Sequence, residues 1–163
     1  MPGAPSTRPV PADWEYLIAH HFPDRYCRTL AFPVGARTLH FCARCTGELF
    51  GFVVVLAVFL VIPSFGTATS TPLAGVILGL CPSLAMADWL SQTVRSRESN
   101  NPLRVTSGFL LGVAFAGLVG YAVSQRWLFF GLGVAVLSAY LAIAALVLYR
   151  TGAWRKVVTE HFP

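Results

Sequence analysis

The sequence predicts an all-α integral membrane bundle: four transmembrane helices behind an N-terminal Cys/His segment on the cytoplasmic side. Three observations carry this expectation. The chain has 163 residues, of which 55% are hydrophobic and only 12% charged, whereas an ordinary soluble domain carries roughly 25% charge. Its apolar residues gather in four runs, each near the roughly 20 residues that cross a hydrocarbon core about 30 Å thick. Its basic residues fall almost entirely on one side of those runs. A mean hydropathy of +0.63 excludes disorder over most of the length, since a disordered chain combines low hydrophobicity with high net charge.

In chain order, residues 1–12 hold Pro2, Pro5, Pro9 and Pro11 among small polar residues and are expected to form a disordered tip. Residues 13–45 form a Cys/His/Arg-rich segment. Asp13 can cap a short helix through Ala19 whose Trp14, Tyr16, Leu17 and Ile18 lie on the membrane surface. No secretory leader is expected, because the first apolar run begins only near residue 46.

The transmembrane domain covers residues 46–149. Its first run, Thr46 to Phe65, has one acid, Glu48, near its start, and its second, Pro72 to Gln92, has Asp88 near its end. Pro63 and Pro82 are expected to bend these helices, since proline lacks an N–H and crowds the preceding turn. The third run, Val105 to Ser124, and the fourth, Trp127 to Tyr149, carry no charge. The fourth is opened and closed by aromatic types that favour the membrane interface. A soluble helical core would need polar outer faces, which these two runs lack. A loop at 93–103 and a tail at 150–163 complete the chain.

Orientation follows from the basic residues. Arg8, Arg25, Arg28, Arg37 and Arg44 precede the first span, Arg95, Arg97 and Arg104 flank the loop between spans two and three, and Arg150, Arg155 and Lys156 follow span four; only Arg126 lies opposite. The positive-inside rule places both termini and the 93–103 loop in the cytoplasm of a multi-pass cell-membrane protein. The net charge of +5 then needs no nucleic-acid partner, because topology and anionic lipid headgroups account for it.

Gly108, Gly112, Ala116 and Gly120 stand at four-residue spacing in span three. They share one face, where small side chains let helix backbones approach closely, within the bundle or between copies. Cys81, beside Pro82, is expected to be a small buried hydrophobe.

The chemical signal concentrates before span one. Cys42-Ala-Arg-Cys45 is a C-x-x-C, with His20, His21, Cys27 and His40 upstream. Two soft thiolates at this spacing can share one tetrahedral ion, and a Cys/His pair would complete a zinc shell. Two other readings stand beside it: a redox pair, which would want a thioredoxin-like βαβ context not seen in this pattern, and thiols that simply face lipid or protein.

A second set of polar groups comes to one depth at the cytoplasmic surface: Glu48, Asp88, Gln92 at i+4 from Asp88, the Arg95–Arg104 stretch, and Thr106 and Ser107. Ionisable residues inside a span are costly and either pair or function. As a structural network, Asp88 would pair with Arg104 or Arg97, and Glu48 with Arg44.

The ordered combination of His21, Arg25, Cys42-Ala43-Arg44-Cys45-Thr46-Gly47, Asp88 with Gln92, Arg97-Glu98-Ser99-Asn100, Arg104 and Gly108 resembles DUF2085, a family of small membrane proteins of bacteria and archaea. The resemblance covers roughly residues 17 to 115. It implies a multi-span membrane protein and brings no established activity. The family's opening Cys-His-Gln triplet aligns with His20-His21-Phe22, so a histidine replaces the first cysteine, an exchange a zinc site accepts because both residues are ligands. The family's Asp-Gly is Asp88-Trp89 here.

The expected site is therefore zinc held by His20, His21, Cys42 and Cys45 beside the polar cluster. Three function classes follow. As a membrane accessory or assembly factor, the metal is structural and the loop recruits a partner. As a metal-dependent enzyme, the ion activates water or polarises a carbonyl or phosphoryl group, Asp88 or Glu48 acts as base with Arg104, and Arg97, Glu98, Asn100 and Gln92 hold an anionic or lipid-linked substrate. As a transporter, the two acids bind a cation or proton. The lipid bilayer is the expected partner, with a membrane protein partner or a homo-oligomer formed through the Gly108/Gly112/Ala116/Gly120 face.

Overall fold

The computed structural model describes residues 19, 23–35, 37–68, 70–95 and 97–161. The proline-rich tip, the helix expected from Asp13 (apart from Ala19), His20, His21 and Ser96 lie outside the described residues. A 3-10 turn, Pro23–Arg28, leads into an antiparallel hairpin of β1 (Thr29–Val34) and β2 (Arg37–Cys42), paired from Thr29 opposite Cys42 to Val34 opposite Arg37. This hairpin corrects the all-helical expectation. Its turn contains Gly35 at φ 61°, a conformation glycine adopts without penalty. Pro33 is tolerated because a two-stranded ribbon has only edge strands.

Four helices long and apolar enough to cross a membrane follow: α1 (Ala43–Val61), then, after the short α2 (Pro63–Ala68), α3 (Thr71–Arg95), α4 (Asn101–Val123) and α5 (Trp127–Thr151). At 1.5 Å per residue the 19 residues of α1 span about 28 Å, close to the hydrocarbon thickness. The expected first span ran to Phe65. It stops at Val61 because Pro63 starts α2, and Ile62 closes α1 by donating to the Val58 carbonyl. Before Pro82, separated from it by Cys81, lies a π-helical stretch, Val76–Leu80, a common way to absorb a helix irregularity. The Tyr140 hydroxyl donates to the Gly79 carbonyl at 3.0 Å, satisfying a backbone acceptor where no water is at hand. Cys81 is buried, as expected.

The helices of the 93–103 segment extend further than the sequence suggested. Helix α3 runs to Arg95, and Asn100 caps α4 by accepting the Leu103 N–H at 2.9 Å, with Pro102 in the first turn. The tail is partly helical too: Gly152, at φ 70°, terminates α5 before α6 (Trp154–His161).

Helices α1 and α4 meet backbone to backbone. A Cβ added at Gly47 or Gly51 would strike the carbonyl of Val105 or Phe109, and one at Gly108 or Gly112 would strike that of Arg44 or Glu48. One turn deeper, Gly120 lies under the Phe59 ring and Ala116 is fully buried. The four-residue stripe is thus an intramolecular seam. Within the single chain, the face expected to serve a partner or a second copy is occupied by α1 and Phe59. At the far end, Phe59, Tyr121 and Phe129 pack at ring distances of 5.4 Å along the chain of contacts. The seam fixes the near ends of α1 and α4 against each other, and those ends carry the polar site.

Candidate functional site

Asp88 lies in the last turns of α3, its side chain 7% exposed. Its Oδ2 accepts from Arg44 Nη2 at 2.8 Å and Gln92 Nε2 at 2.6 Å, and its Oδ1 accepts from Arg97 Nη2 at 3.1 Å. Arg97 also reaches Ser91 Oγ at 3.3 Å. One carboxylate therefore joins the start of α1, the end of α3 and the following loop. A charge near a helix end in a membrane needs such compensation.

Glu98 is the second junction. Arg28, from the turn before the hairpin, donates to its Oε1 at 2.7 Å, and Arg104 to its Oε2 at 3.3 Å. Asn101 Nδ2 donates to the Thr29 carbonyl at 2.9 Å, so the base of the hairpin is docked on the start of α4. Within it the Thr29 hydroxyl donates to the Tyr26 carbonyl at 2.7 Å and lies 3.0 Å from His40 Nδ1, while the His40 ring stacks on Tyr26 at 4.0 Å.

Among the described residues, four guanidiniums, Arg28, Arg44, Arg97 and Arg104, pair with the carboxylates of Asp88 and Glu98, and Glu48 stands beside Arg44. Arg104 is 7% exposed and feels both Arg28 and Arg44 as like charges. Among the described residues, the Nε atoms of Arg44 and Arg104 are buried without a hydrogen-bond partner.

On the opposite face of α1's start lie the Cys42 and Cys45 side chains, Cys42 buried and Cys45 exposed, not joined to each other by a disulfide. They open into a groove of about 480 Å³ lined by Phe32 and Phe41 of the hairpin and by Thr46 and Leu49 of α1. Glu48 stands beside Cys42 and Arg44, without an ion pair among the described residues.

Several expected residues come together and some expected pairings do not. Asp88, Gln92 and Arg97 form one cluster, as the i+4 spacing and loop position suggested. Arg104 serves Glu98 rather than Asp88, and Arg44 serves Asp88 rather than Glu48. The physical reason is burial. An Arg placed N-terminal to Glu at i+4 gains little on its own helix, whereas an acid 7% exposed demands a cation. Asn100 is spent on capping α4, and Thr106 and Ser107 donate back to the carbonyls of Pro102 and Arg104. Arg28 and Thr29 were missed, because only the hairpin and the turn before it bring them to the layer. Of the zinc set, His20 and His21 lie outside the described residues. Among the described residues no group of three or more His, Cys, Asp or Glu could hold a metal ion.

The family model for DUF2085, described as a predicted membrane protein, matches residues 26–118, which covers the hairpin, α1, α3 and most of α4. No curated protein and no solved structure matches the chain.

Proposed function

The chain belongs to the DUF2085 family of predicted membrane proteins, and from that premise we propose that it is a membrane accessory protein whose arginine layer binds an anion of the phosphate class. The observation that carries this reading is the pair of buried Nε–H donors of Arg44 and Arg104 that have no acceptor among the described residues, in a layer where four guanidiniums gather. A buried donor left without an acceptor costs about 1–3 kcal/mol. Arginine's planar fork matches phosphate oxygens, and an anion in the layer would satisfy both donors and offset the like-charge strain.

The saturation of Asp88 supports binding over catalysis. A general base must be free to take a proton in reach of substrate, and here both carboxylate oxygens already accept from three donors. It also weighs against a transporter, whose acid must exchange its cation. The bias of basic residues supports a cytoplasmic position for the layer.

Thermal unfolding in nanodiscs tests the proposal. Phosphatidylglycerol bilayers should stabilise the wild type relative to phosphatidylcholine bilayers with added phosphatidylethanolamine at equal thickness, and Arg104→Lys, which keeps the charge but loses the fork, should abolish the difference. Stabilisation by inorganic phosphate in phosphatidylcholine alone would identify a soluble ligand. Equal stability in every condition would reject the anion site.

A further inference from the structure

We infer that the Cys42–Cys45 pair is a dithiol site for a quinone dissolved in the membrane. Three features of α1's first turns point to it. First, the two cysteines stand at C-x-x-C spacing, one buried and one exposed, the arrangement in which one sulfur can exchange with a partner in solution while the other closes the ring. Second, both face the groove lined by Phe32, Phe41, Thr46 and Leu49. The Thr46 hydroxyl is spent on the Cys42 carbonyl at 2.9 Å, so the thiols supply the polar hydrogens available in an otherwise apolar lining. Third, the groove faces away from the helix seam. At 100° per residue, positions 45, 46 and 49 fall on the side of α1 away from Gly47 and Gly51, which carry the seam with α4. Leu49, 65% exposed, lines it one turn further along α1, an apolar side chain that the bundle leaves uncovered.

A ligand for this groove must be lipophilic, planar enough to lie against the aromatic edges, and able to use two thiols. Phe32 and Phe41 stand edge to face with centroids 5.6 Å apart, a geometry that extends readily to a third ring. A quinone meets all three conditions, with carbonyl oxygens that accept from S–H donors. The reaction balances without any other group. Both S–H bonds break and one S–S bond forms between Cys42 and Cys45. The two electrons and two protons released reduce the quinone to its hydroquinone. A soluble dithiol then restores the pair: its thiolate attacks Cys45, the exposed sulfur, its second thiol resolves the mixed disulfide, and the dithiol leaves oxidised. The site lies on the other face of α1 from the arginine layer and stands independently of the anion reading.

The test uses the full chain in nanodiscs under anaerobic conditions with a decyl-tailed benzoquinone. Reduced wild type should form one hydroquinone per chain and a Cys42–Cys45 disulfide seen by peptide mass mapping. With excess dithiothreitol it should turn over at least about tenfold faster than Cys45→Ser, which reports the uncatalysed background. Cys27→Ser and Cys81→Ser should match the wild type. Phe41→Ala should raise the half-saturating quinone concentration about three- to tenfold, the effect of losing one aromatic contact, without changing the single-turnover stoichiometry. Thiols that stay reduced in the presence of quinone, turnover unchanged in Cys45→Ser, or a zinc ion held by the pair that leaves it inert would each overturn the inference. Circular dichroism of Cys45→Ser confirms that any loss is not unfolding.

Discussion

Arg44, in the first turn of α1, donates to the Asp88 carboxylate near the end of α3 at 2.8 Å, across 44 positions of sequence. This bond and the one from Arg97 turn a costly intramembrane acid into the joint that holds two helix ends and a loop. Removing one partner of a buried ion pair leaves the other charge uncompensated, which costs about 3–5 kcal/mol when both are fully buried. Arg44 is 24% exposed, so the cost here falls below that range. Asp88→Asn and Arg44→Gln should each lower the thermal midpoint, and the double variant should show a coupling of about 1–3 kcal/mol. The Asp88/Arg104 cycle should couple less, because Arg104 is bonded to Glu98. A reversal of that order in denaturation measurements would contradict the assigned pairing.

The α1–α4 seam makes a sharper steric prediction. Gly112→Ala places a methyl against the Glu48 backbone carbonyl, which cannot move aside as a side chain could. Overpacking costs about 1–3 kcal/mol even among side chains, so Gly112→Ala and Gly47→Ala should each lose at least that much. Gly131→Ala, with nothing within 4 Å, should be neutral or slightly stabilising through better helix propensity. Thermal midpoints of the three variants in one detergent check this.

Much of the fold was legible in the sequence, and the reason is physical. Uncharged runs such as Val105–Ser124 and Trp127–Tyr149 admit few environments other than lipid, and four-residue glycine spacing fixes a face whatever the partner. The hairpin was not read, although Gly35 stands between Leu30–Val34 and Thr38–Phe41, both rich in strand formers. The count of His, Cys and Arg drew attention to ligands rather than to alternation. The site was legible by depth but not by partner. Spacing along one helix joined Asp88 to Gln92, whereas the Arg44–Asp88 and Arg28–Glu98 pairs depend on which helices are neighbours, and no single sequence prints that.

Topology offers a third prediction. In a background with Cys27 and Cys45 replaced by Ser, an engineered Cys at Ser99 should react with membrane-impermeant maleimide only in inverted vesicles, and one at Ala68 only in intact cells. Labelling of position 99 in intact cells would reverse the orientation and move the arginine layer out of the cytoplasm.

The cap at the start of α4 gives a fourth. Asn100→Ala removes the acceptor of the Leu103 N–H and should cost about 1 kcal/mol, with phosphatidylglycerol stabilisation retained. Loss of that stabilisation in Asn100→Ala would show that Asn100 touches the ligand itself.

The most direct measurement of the arginine layer is native mass spectrometry of the protein released from mixed anionic and zwitterionic nanodiscs. The wild type should retain a single phosphatidylglycerol or phosphate adduct at collision energies that strip other lipids, and Arg126→Gln, altered on the far side, should retain it equally. The Arg44→Lys/Arg104→Lys double variant, which keeps every charge but removes both Nε–H donors, should lose it. Retention of the same adduct by the double variant, or its absence from the wild type, would contradict the account.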